Sequence, residues 1–335
     1  MLGFVGYIAG NLVAALLAAA WGLTLGERLI SFLLPPLSFL AVVYTARRVA
    51  RRERIVFYQT TLAGVVAVAL ATAIIGGNVA RCIDIVVVGY GVFLVFGRVG
   101  CFSVACCHGR PSRFGVVYGH RHVKLGFWWR WSGRRLWPVQ LLESAASLIL
   151  VVVGLVVGWW APGEPALIYC VGYGASRFAF EMVRGDSARP QIYGLSEAQW
   201  TATVTLIACA MICPNSATIA PAGALALASS ILVVVRRRRE LWLPPHLRAI
   251  DTSCARVLLG PSAREETSLG VMISRHELSY GRTDWVFSST HPAWSARAAR
   301  RIAAALWSQP EVVEGRLAGV IHIITVATIE HHDRS

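Results

Sequence analysis

Over the first 235 positions apolar residues come in blocks rather than in alternation with polar ones. Runs at 4–25, 29–46, 55–77, 83–103, 138–161, 165–182, 197–213 and 217–235 each approach the roughly 20 apolar residues an α-helix needs to cross a bilayer. Pro214 and Pro221 bracket the junction of the last two runs. That pair reads either as two short spans or as one span and a re-entrant piece, so seven or eight spans are expected. After the run RRRRE that begins at Arg236 the period shortens. VLLG, LGVMISRHEL, DWVFSS and GVIHIITVATI read as short strands, and Ser295–Trp307 as a helix. The expected architecture is an all-α polytopic membrane helix bundle over 1–235, followed by a small soluble α+β domain over 236–335.

Composition sharpens this picture. Charged residues make up 15% of the chain and mean hydropathy is +0.56, against about 25% charge in soluble domains. One large soluble core is excluded. The first apolar run lacks a basic leader and is followed at once by another, so it reads as a span rather than a secretory signal. The net charge of +14 comes from arginine, with Lys124 as the only lysine. Arginines flanking spans are expected to face anionic lipid headgroups, and no nucleic-acid partner is expected. In the loop 104–137, Trp128, Trp129 and Trp131 are interleaved with arginines, which reads as a segment lying at the membrane interface.

Ionisable residues inside spans are costly and point to function. Three sets stand out. The first is Gly97-Arg98-Val99-Gly100-Cys101-Phe102, leading to Gly109-Arg110-Pro111. The second is Pro138-Val139-Gln140-Leu141-Leu142-Glu143, where Gln140 and Glu143 share a helix face; helix-start chemistry at the positive end of the dipole is the plainer account of Glu143. The third is Tyr173-Gly-Ala-Ser-Arg177-Phe-Ala-Phe-Glu181-Met-Val-Arg184-Gly-Asp186. There Tyr173, Arg177, Glu181 and Arg184 recur at i, i+4, i+8 and i+11 and form one polar stripe. Arg177 and Glu181 suit a structural ion pair. The whole stripe better suits a phosphodiester, because guanidinium offers planar bidentate donors that a carboxylate can orient.

In this order, and with Gly194-Leu-Ser-Glu-Ala-Gln199-Trp200 behind them, these motifs resemble the prolipoprotein diacylglyceryl transferase family from about Tyr58 to about Leu206. The resemblance implies a multi-pass enzyme of the bacterial plasma (inner) membrane. Its partners would be phosphatidylglycerol, the preprolipoprotein signal peptide and membrane lipid. It would move the diacylglyceryl group of phosphatidylglycerol onto a cysteine thiol. Carried across, Arg98 and Arg177 are the phosphate-binding arginines, Glu181 the carboxylate beside the second and Tyr173 the motif tyrosine, and these four form the expected catalytic set. Arg184, Gln140, Glu143, Gly109 and His108 are expected to contact substrate. The proton acceptor is open among His108, His120, His122, Tyr173 and Glu181.

The chain also departs from the family. Gln59-Thr60-Thr61 stands where the family has histidine-glycine-glycine, Cys101 where it has asparagine and Cys106 where it has glutamate. These losses imply a divergent branch, with a changed acceptor, a changed lipid or a non-catalytic lipid-binding or transporter-like role. Cys101, Cys106, Cys107 and His108 are close enough in sequence for a metal reading, but their spacing matches no common ligand pattern. Packing at a glycine-rich turn is expected instead, ahead of a thiol made reactive by the neighbouring Arg98, with no metal and no cofactor. The tail's histidines (His276, His291, His322, His331 and His332) are too scattered for a ligand set.

Arginine bias places 46–54, 104–137, 184–189 and the tail on the cytoplasmic side. The resemblance places 104–137 outside. The second is preferred for the core, because arginines that bind phosphate distort charge counting. The side of the tail is left open.

Overall fold

The computed structural model describes residues 2–50, 57–186, 191–237, 240–260, 263–307 and 309–326. Parts of the arginine runs at 46–54, 184–189 and 236–239, the end of the strand expected at 319–329, and His331 and His332 lie outside the described residues.

In chain order the elements are helices α1 (Leu2–Ala20), α2 (Leu25–Ala50), α3 (Phe57–Ile74) and α4 (Val79–Ser103); then strand β1 (Pro111–Val117), short helix α5 (His120–Val123) and strand β2 (Arg135–Leu136); then helices α6 (Val139–Val157) and α7 (Glu164–Val183), the two-residue strands β3 (Gln191–Ile192) and β4 (Leu195–Ser196), and helices α8 (Glu197–Ile212) and α9 (Ser216–Arg237). The remainder comprises α10 (Pro244–Leu259), β5 (Arg264–Glu266), β6 (Val271–Leu278), β7 (Arg282–Ser289), α11 (Ala296–Leu306), β8 (Glu311–Glu314) and β9 (Val320–Val326). The chain forms two compact units. The first comprises 1–127, 133–184 and 198–229; the second comprises 128–132, 185–197 and 230–335.

Among the described residues, five helices are long and apolar enough to cross a membrane: α1, α2 (Leu25–Arg48), α4, α6 and α9 (Ser216–Val235). The chain is a membrane protein. The remaining helices among the expected seven or eight spans fall short of this length and hydropathy. The described apolar part of α3, Thr60–Ile74, is short, α8 has 16 residues, and α7 carries Arg177 and Glu181 within its length. The outward faces stay apolar, with Leu16, Leu33, Leu40, Leu148, Ile149 and Val234 exposed, as lipid-facing positions require.

Helices α1 and α4 meet along small residues. Gly6, Gly10, Ala14 and Ala18 recur every four positions on α1 and are all buried. A Cβ at Gly10 would lie 2.6 Å from the Gly89 carbonyl oxygen, so glycine is what permits this close backbone approach. Asp84 of α4, fully buried, accepts from the backbone N–H groups of Gly163 (2.7 Å) and Ala166 (3.0 Å). It therefore satisfies the orphan donors at the start of α7, which has no capping side chain of its own.

The second unit is a five-stranded antiparallel sheet, in the order β5-β6-β7-β9-β8, with α10 and α11 packed on it. Alternate strand residues Val271, Ile273, Trp285, Phe287, Ile321 and Ile323 are buried, the period of two that a half-buried sheet demands. Helix α11 supplies Ala298, Ala299, Ile302, Ala303 and Leu306, and Ser295 caps it by accepting from the Ala298 N–H at 3.3 Å. The strand expected at VLLG is instead the end of α10, which buries Leu247, Ile250, Cys254 and Val257 at helical spacing. The Pro244-Pro245 pair at its first turn was the helix signal.

Segment 128–132 packs against protein. Trp128 and Trp131 are buried within the second unit, whereas Trp129 is 37% exposed. Trp128 Nε1 donates to Asp251 at 2.9 Å. Arg130 pairs with the same carboxylate, donates to the Leu306 carbonyl at 2.7 Å and stacks over Trp307.

Candidate active site: a buried chain of arginines and carboxylates

Helices α4, α6 and α7 bring together five charges that are far apart in sequence. Arg98 Nε lies 2.6 Å from Glu143 Oε2. Glu143 Oε1 accepts from Arg177 Nη1. Arg177 Nη2 lies 2.5 Å from Glu181 Oε1, and the same oxygen lies 3.2 Å from Arg184 Nη1. Arg177 and Glu143 are essentially inaccessible, at 0% and 1% exposure. Each inner member touches two opposite charges, which is what allows such residues to remain ionised away from water. Three guanidiniums face two carboxylates, so the chain carries a net charge of +1.

Local sequence explains the placement. On α7 the stripe Tyr173, Arg177, Glu181 and Arg184 is buried as a set, as its spacing predicts. On α6, Gln140, Glu143, Ser147, Val151 and Gly154 make the buried face. Glu143 is thus the junction between α4 and α7, a role beyond helix-start chemistry.

The Gly109-Arg110 segment ties this assembly together through its backbone. Gly109 N donates to Trp137 O at 2.9 Å and Trp137 N to Arg110 O at 3.1 Å. Arg110 N donates to Val183 O at 2.8 Å, and Gly109 bridges to Arg184. A Cβ on Gly109 would meet Trp137 Cβ at 2.4 Å and Trp137 O at 2.6 Å, so only glycine fits. Arg110 Nε also donates to the Arg184 carbonyl at 3.0 Å. Burial pushes its guanidinium pKa down. It is a further cation beside the chain, named in the first motif but given no role there.

Gln140, fully buried, donates through Nε2 to the Cys106 carbonyl (2.6 Å) and to the Tyr118 hydroxyl (3.3 Å). It holds the turn after α4 rather than the ionic chain. Burial pushes the Tyr118 phenol up to about 12. His108 is buried, with Nδ1 3.0 Å from the Gly109 carbonyl and its ring edge-on to Phe127. Gln199 is buried and donates to Met182 Sδ at 3.4 Å. Tyr173 lies on the α7 stripe but stacks on Tyr169, with ring centroids 5.6 Å apart, and among the described residues its hydroxyl makes no hydrogen bond into the ionic chain. The expected site residues therefore divide. Arg98, Glu143, Arg177, Glu181 and Arg184 form one constellation, Gly109 fixes the backbone around it, and Gln140, His108 and Tyr173 flank it.

After α4 three thiols converge. The Sγ atoms of Cys101, Cys106 and Cys107 all lie within 4.8 Å of one another. Hydrogen bonds from the other two sulfurs, together with the Arg184 and Arg98 charges, pull the Cys107 thiol pKa down; the same sulfur contacts and burial push that of Cys106 up.

These features sit within a region that known proteins share. The phosphatidylglycerol–prolipoprotein diacylglyceryl transferase of Clostridium tetani (strain Massachusetts / E88) is 28% identical over 159 residues, which is 45% of this chain and 60% of that protein. Phosphatidylglycerol–prolipoprotein diacylglyceryl transferase 2 of Clostridium perfringens (strain 13 / Type A) is 28% identical over 159 residues, 45% of this chain and 58% of that protein. The chain thus spans about three fifths of the length of these curated relatives. No solved structure matches it. The family model for prolipoprotein diacylglyceryl transferase matches residues 10–214, a stretch that holds the whole ionic chain, and the protein belongs to that family.

Proposed function

We propose that this chain transfers the diacylglyceryl group of phosphatidylglycerol to a cysteine thiol of a preprolipoprotein, as a multi-pass enzyme of the bacterial inner membrane. The catalytic part is the region 1–235, with two or three helices beyond the five long apolar ones completing a bundle of seven or eight spans. Residues 236–335 are an appended domain. The observation that carries the reading is the buried five-membered ionic chain with its excess positive charge, formed from motif positions of the family.

The reaction is a substitution. Sulfur attacks a glycerol carbon, a C–S bond forms, the C–O bond to phosphate breaks, and glycerol phosphate leaves with the electron pair. Negative charge grows on that phosphate. Arg98, Arg177 and Arg184 are already held by Glu143 and Glu181, so they meet that charge without reorganising, in surroundings where water does not screen them. Arg110 adds to the same field. Glu181 is committed to two arginines, which leaves the loop imidazoles as the better proton acceptors. A cavity of about 640 Å³ between α1, α2, α3 and α4, lined by Phe4, Ala14, Pro35, Leu40, Ile85 and Phe93 among others, has the apolar character that an acyl chain requires.

The test is transfer of labelled diacylglycerol from phosphatidylglycerol to a lipobox peptide by purified protein. Arg177→Ala is expected to abolish transfer while the protein stays membrane-inserted. Wild-type activity in that variant overturns the assignment. Cys101 and Cys106, in place of the family's polar residues, favour a second reading as a non-catalytic lipid-binding protein. Phosphatidylglycerol binding that is lost in Arg177→Ala, with no transfer by the folded wild type, supports that reading.

A further inference from the structure

We propose that Cys101, Cys106 and Cys107 form a three-thiolate site for one zinc ion, with an open fourth position that takes the acceptor thiol. The second half of this proposal rests on the transferase reading; the metal site does not.

The backbone assembles the three sulfurs by an unusual route. Helix α4 ends in a Schellman turn: Ala105 N donates to Phe102 O at 3.2 Å and Cys106 N to Cys101 O at 3.1 Å, which sets Cys106 beside Cys101. The left-handed residue of such a turn is usually glycine, but here it is Ala105 (φ 55°). Cys107 follows in the same left-handed region (φ 58°) and brings the third sulfur to the same point. Two non-glycine residues held in that conformation within three positions are the kind of local strain that accompanies a binding site. Gln140 fixes the turn from α6 through the Cys106 carbonyl.

The chemistry selects the ion. Zinc–sulfur bonds of about 2.3 Å put thiolates roughly 3.8–4.0 Å apart. The present separations, all within 4.8 Å, therefore close by less than about 1 Å. Three sulfurs and no carboxylate favour a soft or borderline cation over magnesium or calcium. Charge also favours three thiolates. Zinc with three thiolates is an anion of charge −1, and Cys107 feels the guanidiniums of Arg98 and Arg184, which belong to an ionic chain of net charge +1. A zinc site built from neutral imidazoles would be repelled there. Cys106 is exposed while Cys101 and Cys107 are half-buried, so a ligand from outside can complete the tetrahedron. Three protein ligands and one open position are the pattern of reactive zinc.

In the transferase reading, the acceptor thiol displaces water from zinc and loses its proton to a loop imidazole, since a coordinated thiol is deprotonated. Its sulfur then attacks the glycerol carbon as above. The product thioether is neutral and a weak ligand, so it departs. No electron is gained or lost.

The test uses the full chain, purified in detergent under reducing conditions without added metal. Elemental analysis is expected to give about one zinc per chain, and replacement by Co²⁺ to give intense sulfur-to-cobalt charge-transfer absorption. Cys101→Ser/Cys107→Ser removes both, whereas Cys82→Ser retains both. If the double variant does not fold, Cys106→Ser is measured in its place. The site is overturned by equal zinc in the wild type and the cysteine variant, by copper in place of zinc, or by a folded, metal-free wild type with three freely alkylated thiols. The transfer assay runs in parallel. Zinc without transfer keeps the site and sinks the transferase reading. Transfer that persists in a metal-free cysteine variant sinks the catalytic role of zinc and leaves the transferase reading intact.

Discussion

Glu143 shows how much one carboxylate can hold. It accepts from Arg98 on one helix and Arg177 on another, so its loss leaves guanidiniums on two different helices short of a partner. Glu143→Gln keeps the shape and removes the charge. Breaking a buried ion pair from one side typically costs about 3–5 kcal/mol. The expected outcome is a markedly lower thermal unfolding midpoint in detergent together with loss of transfer; an unchanged midpoint would show that the arginines find other partners. The sequence placed Glu143 on a face with Gln140 and went no further. Spacing along one helix reveals a shared face but not which distant helices lie opposite it. Asp84 went unnoticed for the same reason: its partners are backbone N–H groups about 80 positions away, and a backbone donor leaves no mark in the sequence.

At the level of elements, periodicity was informative wherever one element faces one environment. The α7 stripe and the strands β6, β7 and β9 follow their periods of 3.6 and 2. The pattern is ambiguous where two environments produce the same composition. Tryptophans interleaved with arginines suit a bilayer surface, and they equally suit a protein core in which the guanidinium stacks on indole, as Arg130 does over Trp307. The apolar VLLG suits a strand or the last turn of a helix. The Gly109-Arg110 connection makes its contacts through backbone, and its demand is steric. Gly109→Ala is expected to force apart the Trp137 backbone and the end of α7, lowering transfer by at least about tenfold, since small displacements at a positioned site carry large rate penalties. Steady-state kinetics on membranes with matched expression would check this; wild-type rates would show that the segment only connects.

For the whole molecule, the second unit carries its own pH sensitivity. His246 is buried between the Leu241 carbonyl (2.6 Å from Nδ1) and the Thr267 hydroxyl (2.9 Å from Nε2). Burial, opposed by the Leu241 hydrogen bond and aided by His291, lowers its pKa. The folded unit therefore holds a neutral ring at pH values where the unfolded chain has already taken up a proton. Its stability is complete above the unfolded value of about 6.5 and declines as pH falls below it. Hydrogen exchange in the full chain, corrected for intrinsic rates, should show protection of β6 falling between about pH 7.5 and pH 5.5, with His246→Gln flattening that dependence. The strap from 128 to 132 has a different consequence, one of timing. Asp251 meets Trp128 and Arg130 across 123 and 121 positions, and Arg130 reaches Leu306 across 176. The ribosome releases the strap long before α10 and α11, which receive it, exist. Closing so long a loop is slow, so Asp251 waits without its partners, and the second unit can be the last part of the chain to reach its final form.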